Sequence, residues 1–176
     1  MSIHNKINVA VIGATGYTGL DLTLLLSVHP NVSIKYLCAT KNLGKKINYF
    51  DKRIKKKLPK ISSVKKLDLN KIDLIFLSLP NGEAQKFIIK NYFKNTHIKY
   101  IDLSADFRIS NIKIYENNYK IKHKAKKIIK DSIYLIPELY KKINKNSRII
   151  SNPGCYPTSI QLPLVPIIED NLIKIN

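Results

Sequence analysis

The chain has 176 residues, 44% of them hydrophobic, which suits one well-buried domain with room for the start of a second and excludes an intrinsically disordered chain. No run approaches the ~18 uninterrupted apolar residues of a transmembrane helix, and the opening MSIHNKINVAVIGATG reads as a first strand entering a motif, not as a signal peptide. The formal net charge of +19 is a lysine charge, since Arg53, Arg108 and Arg148 are the only arginines among 31 basic residues; without arginine's planar fork it reads as a solvated surface with a residual field for small anions, and argues against a nucleic-acid partner.

Asn8–Ile12 is an apolar strand followed at once by GATGYTG. Leu20–Val28 is nearly all apolar and suits a buried helix ending near His29-Pro30; Val32–Ala39 alternates as a second strand. This β-turn-α-β unit predicts a parallel sheet. Lys41–Lys66 is lysine-rich and weakly periodic, with no element that can be placed. Asp73–Ser78 is a strand stopped by Pro80-Asn81-Gly82, Glu83–Phe93 a helix, and Lys99–Leu103 the next strand. Asn111–Lys130 reads as partly helical, polar and exposed, with His123, like His29, on the surface. Ile133–Ile136 and Arg148–Ser151 are further strands. The alternation predicts a Rossmann-like, doubly wound, mostly parallel α/β sheet over residues 1–150, with residues 151–176 starting a second domain.

Gly13, Gly16 and Gly19 form G-x-x-G-x-x-G between the first strand and helix. In such a turn the first glycine permits the bend and the second admits a pyrophosphate to the backbone. The third lets helix pack on strand, and the helix N-terminus favours the phosphates. An NAD-preferring domain places a carboxylate after the second strand to hold the ribose 2′-hydroxyl. Here that strand runs into Thr40 and Lys41, donors suited to a 2′-phosphate, so NADP is the expected cofactor.

The other informative stretch is SNPGCYPTSIQ, Ser151–Gln161. A structural thiol sits naturally in an apolar run, as Cys38 does in the second strand, whereas Cys155 follows a glycine at a strand-to-helix bend. Gly154 makes room for the bend and Pro157 fits a first helical turn. A helix start favours the thiolate, the nucleophilic form, and Asn152 is placed to orient the thiol or donate to an oxyanion. Two cysteines make no disulfide framework, so a reducing cytoplasm is the expected compartment.

Taken in order, GATGYTG, FLSLPNGEA, IDLSADFR, YLIPELY and SNPGCYPTSIQ closely resemble the N-acetyl-γ-glutamyl-phosphate reductases, over essentially the whole chain and over about the first half of a family member. The resemblance implies NADPH-dependent reduction of an acyl phosphate to an aldehyde through a thioester on Cys155, with Gln161 orienting it. Gly13, Thr15, Gly16, Tyr17 and Gly19 would hold the pyrophosphate, and Pro80, Asn81 and Gly82 would line the nicotinamide side. Ser104 and Arg108 would meet anionic groups of the acyl-phosphate substrate. An internal ion pair among Asp102, Asp106 and Arg108 is the rival reading of that loop. The family's catalytic histidine would lie beyond residue 176, and no metal is implied. A homo-oligomer is expected at full length, with no nucleic-acid or membrane partner. Aspartate-semialdehyde dehydrogenase-like chemistry and a non-catalytic dinucleotide-binding remnant are the alternatives.

Overall fold

Val9, Ala10 and Val11 are wholly inaccessible to solvent because β1 (Ile7–Ile12) is a central strand of a sheet covered on both faces. In this computed structural model, which describes residues 6–139 and 147–173, β2 is Val32–Cys38, β3 Ile61–Ser62, β4 Leu74–Leu77, β5 Lys99–Asp102, β6 Ser132–Tyr134 and β7 Ile149–Ser151. The helices are α1 (Tyr17–Val28), α2 (Glu83–Asn91), α3 (Ile112–Tyr119) and α4 (Cys155–Glu169). The sheet order is β3-β2-β1-β4-β5-β7-β6, and all six described pairings are parallel.

Alternation along each strand divides the core between the two faces. Ala10, Ile12, Ile75, Leu77 and Tyr100 pack with Ala84 and Ile88 of α2, while Val9, Val11 and Phe76 pack with Leu26 of α1 on the other side. A fully buried side chain such as Ile75 contributes about 1.5–3 kcal/mol.

Register aligns the strand ends. Ile12 faces Leu77, Leu77 faces Asp102, and Asp102 faces Ser151. One step further the ladder continues, with Ser78 N donating to Ile12 O, Leu103 N to Leu77 O and Asn152 N to Asp102 O. The glycine turn, the Ser78–Gly82 turn, the 103–108 loop and the Cys155 bend therefore emerge side by side along the carboxyl edge.

The expected strands and helices form, with bounds moved by up to three residues; α1 begins at Tyr17, before Leu20. The unplaced Lys41–Lys66 segment holds two single 3₁₀ turns, Ile47–Tyr49 and Val64–Lys66, around the two-residue β3, and buries Ile47, Ile54 and Ile61. The expectation of an exposed 111–130 segment is corrected. Tyr115, His123, Ala125, Ile128 and Ile129 are buried, and His123, expected on the surface, is 1% exposed. The lysines interleaved there point to solvent while the apolar positions close the α2 face of the sheet. Tyr140 of YLIPELY lies outside the described residues.

Candidate active site

The chain winds from β1 out to β2 and β3 on one side, then returns to lay β4 on the other. Such a switch point opens a crevice beyond the strand ends. A cleft of about 580 Å³ lies there, lined by Gly13, Thr15 and Gly16 from β1, Thr40 from β2, and Pro80 after β4.

The glycines divide by physical role. Gly13 has φ +85°, and a Cβ there would run into the Ser78 carbonyl; one at Gly19 would strike the Gly13 carbonyl. Both are required by the protein itself. Gly16 is different, because its φ is −77° and a Cβ would meet only Gly13 O, at 3.6 Å. Among the described residues no internal contact demands glycine at 16. Gly16 is also the N-cap of α1 and has no side chain to offer, so the first-turn amides have no capping partner. An uncapped helix start next to a cleft lined by Thr15 and Gly16 suits a phosphate group.

The remaining cofactor candidates fall at different depths. Tyr17 is 94% exposed at the start of α1, and Lys41 is exposed beyond Thr40. Asn81 is turned to the protein, its Oδ1 accepting from Ala105 N at 3.2 Å. Gly82, φ +87°, caps α2, and its N–H is taken by Asp106. Ser78, Leu79, Val64, Glu83, Lys86 and Phe87 also line the cleft and were missed in the sequence. Ser78 and Leu79 were findable as the first residues after the switch-point strand. Glu83, Lys86 and Phe87 share one face of α2 by their i, i+3, i+4 spacing.

Three strands along the edge, Cys155 is the first residue of α4 and is exposed, while Cys38 is wholly buried in β2, where burial pushes its thiol up. Gly154 is the N-cap and again offers no capping side chain. Arg108 clamps this bend, with Nε donating to Asn152 O at 2.9 Å and Nη2 to Leu103 O at 3.0 Å. Its Nη1 lies 3.0 Å from where a Cβ on Gly154 would stand. The guanidinium thus lies beside Gly154, the residue before the exposed Cys155, at an uncapped helix start.

The rival ion pair does not form: Arg108 bonds carbonyls, and no salt bridge joins it to Asp102 or Asp106. Asp102 is buried, and desolvation pushes its carboxyl up to about 6 although Ser104 N and Oγ both donate to it. Ser104 is itself buried, its Oγ donating to Asp102 Oδ1 at 2.7 Å and accepting Asp106 N at 3.1 Å. Asn152 directs its amide to Pro153 O. Gln161 stands six residues after Cys155, about 240° round the helix, and its Nε2 donates to Tyr134 Oη at 3.3 Å. Helix geometry does not bring it beside the thiol.

A parallel sheet with a switch-point cleft, a glycine turn and an uncapped helix start define a dinucleotide-binding α/β domain. Residues 8–147 match the semialdehyde dehydrogenase NAD-binding domain, and the chain belongs to that family. It is 42% identical over 173 residues to the N-acetyl-gamma-glutamyl-phosphate reductase of Ehrlichia canis, covering 97% of this chain and 49% of the relative. It is 41% identical over 172 residues to a probable chloroplastic enzyme of that name from Arabidopsis thaliana, covering 97% and 42%. The chain thus spans about half the length of the curated relatives it matches. In fold it resembles aspartate semialdehyde dehydrogenase II from Vibrio cholerae, complexed with ASA (TM-score 0.64, 20% identity, 94% of this chain and 43% of that one). The Candida albicans aspartate semialdehyde dehydrogenase with NADP is similar in the same way (TM-score 0.62, 19% identity, 94% and 48%).

Proposed function

We propose that this chain is the cofactor-binding part of an N-acetyl-γ-glutamyl-phosphate reductase of arginine biosynthesis, an oxidoreductase using NADPH, with Cys155 as nucleophile. The observation that carries it is the exposed Cys155 at an uncapped helix start, clamped by Arg108 on the same sheet edge as the glycine-turn cleft. The roughly 40% identity to reductases so named supports the substrate class.

In this reading the Cys155 sulfur attacks the acyl carbonyl carbon of N-acetyl-glutamyl 5-phosphate. The carbon–oxygen bond to phosphate breaks and a thioester forms. NADPH supplies the hydride for the reduction. The thioester carbonyl gains it and a proton to give a thiohemiacetal, whose hydroxyl then gives up its proton to solvent as the carbon–sulfur bond breaks, releasing the semialdehyde and the thiolate. Arg108 Nη1, the guanidinium nitrogen turned to Gly154, holds the substrate's anionic end. Asn152 frames the bend, and Gln161 fixes α4 against β6 through Tyr134. Thr15, Gly16, Tyr17 and the α1 amides hold the pyrophosphate, Pro80 to Gly82 border the nicotinamide, and Thr40 and Lys41 favour NADP over NAD.

We assign residues 1–150 to the cofactor domain and 151–176 to the start of a catalytic domain that completes the pocket in a cytoplasmic, homo-oligomeric enzyme. Among the described residues no helix is long and apolar enough to cross a membrane. The test is a reverse-direction assay with the semialdehyde, phosphate and NADP, on the chain alone and with the separately made C-terminal half of a related reductase. Slow or no turnover alone, restored by the added half and absent in Cys155→Ser, supports the reading. Undiminished activity in Cys155→Ser would overturn it.

A further inference from the structure

Asp106 lies in the loop after β5, is wholly buried, and forms no salt bridge among the described residues. Among the described residues its carboxylate accepts four hydrogen bonds. Oδ1 takes Gly82 N at 2.7 Å, Tyr115 Oη at 2.8 Å and Gln85 Nε2 at 3.2 Å; Oδ2 takes Gln85 N at 3.1 Å. Gly82 and Gln85 are the N-cap and N3 positions of α2. A capping residue normally satisfies the N3 amide with its own side chain, and an N3 side chain can meet the N-cap amide in return; Gly82 has no side chain, and Asp106 takes both amides from 24 and 21 residues away.

The carboxylate is held in turn. Tyr115 of α3 also receives Gln85 Nε2 at 3.0 Å, and Gln85 Oε1 accepts Lys124 N at 2.6 Å. His123 Nε2 contacts the Asp106 carbonyl oxygen at 2.8 Å, while Ser104 Oγ accepts Asp106 N at 3.1 Å. Burial and the Asp106 carboxylate raise the Tyr115 phenol, so its hydroxyl stays a donor. Two residues on, Arg108 grips the Cys155 bend through Asn152 O. On the other side, Pro80, Glu83 and Lys86 of the capped turn line the cofactor cleft.

We propose that Asp106 is a positioning residue, capping α2 from the substrate loop so that the cofactor cleft and the Cys155 bend are held in one frame. The proposal rests on the reading of that cleft as the NADPH site. Electrostatics and positioning predict opposite signs here. Removing a negative charge below the cleft strengthens binding of an anionic cofactor if charge alone matters. In Asp106→Asn the amide nitrogen instead meets Gln85 N donor to donor, and the Gly82–Gln85 turn loosens.

The experiment titrates NADPH by fluorescence into the 176-residue chain, wild type, Asp106→Asn and Tyr115→Phe, below each variant's unfolding midpoint as read by circular dichroism. Ser27→Ala, which removes a side-chain bond to Leu24 O far from the cleft, serves as a control for lost stability. Asp106→Asn should weaken NADPH about tenfold and Tyr115→Phe about two- to threefold, with Ser27→Ala unchanged. Unchanged or tighter binding in Asp106→Asn, or an equal loss in Ser27→Ala, would overturn the proposal while leaving the cleft reading intact. Should Asp106→Asn not fold, native affinity in Tyr115→Phe would overturn it and the two- to threefold loss would support it. A wild-type chain that binds no NADPH would instead overturn the cleft reading, and this proposal with it.

Discussion

Arg108 Nε donates to the Asn152 carbonyl oxygen at 2.9 Å, joining residues 44 positions apart and fixing the bend that presents Cys155. Gly154 is part of the same fit, because a Cβ there would stand 3.0 Å from Arg108 Nη1, while its φ of −71° suits any residue. Gly154→Ala should therefore cost at most about 1 kcal/mol of stability, through Arg108 and not through the backbone. In an Arg108→Ala background that cost should vanish, giving a coupling of roughly 0.5–1 kcal/mol in urea denaturation. Strict additivity would separate the two residues.

The glycine turn makes a sharper contrast. Gly19→Ala drives a methyl into the backbone of Gly13 and Ala14, contacts that cannot yield as a side chain can. Its expected cost is roughly 3 kcal/mol or more. Gly16→Ala meets no such contact and should shift stability by less than about 1 kcal/mol. It should nonetheless weaken NADPH at least about tenfold. Denaturant melts and fluorescence titrations of both variants test the division, and Lys41→Asp in the same titration should erase a preference for NADPH over NADH.

Much of this site was legible in the sequence because its signals are local. The apolar run ending at Ile12, the three glycines and the bend at Cys155 each announce themselves within a dozen residues. What the sequence hid is what acts at a distance. Nothing near Gly82 reveals that Asp106 caps its helix, and nothing in DLSADFR tells Ser104, whose hydroxyl stays inside, from Arg108, which reaches the Cys155 bend. His123 was misread because lysines surround it, and burial between Phe107 and Tyr115 follows only from the path of the chain. The two-residue β3 is too short to show a period.

Asp102 predicts a pH dependence. Its carboxyl rises from 3.8 to about 6 on folding, so the folded chain binds the extra proton between those values. Stability from this group is whole below about pH 4 and is lost as pH rises through 6, by about 3 kcal/mol. Asp102→Asn keeps an oxygen for Ser104 N and Oγ and should flatten the stability profile between pH 4 and 6. Urea midpoints across that range measure it, and an unchanged slope would mean that Asp102 is not its source.

The central claim is that Cys155 forms the thioester beside a cleft that binds NADPH. The direct measurement is mass spectrometry of the chain after brief exposure to N-acetyl-glutamyl phosphate, with peptide mapping before and after NADPH is added. One acyl group should appear on Cys155, persist in Cys38→Ser, be absent in Cys155→Ser, and be discharged faster with NADPH than with NADH. Acylation of Cys38, or an adduct that survives in Cys155→Ser, would contradict the account.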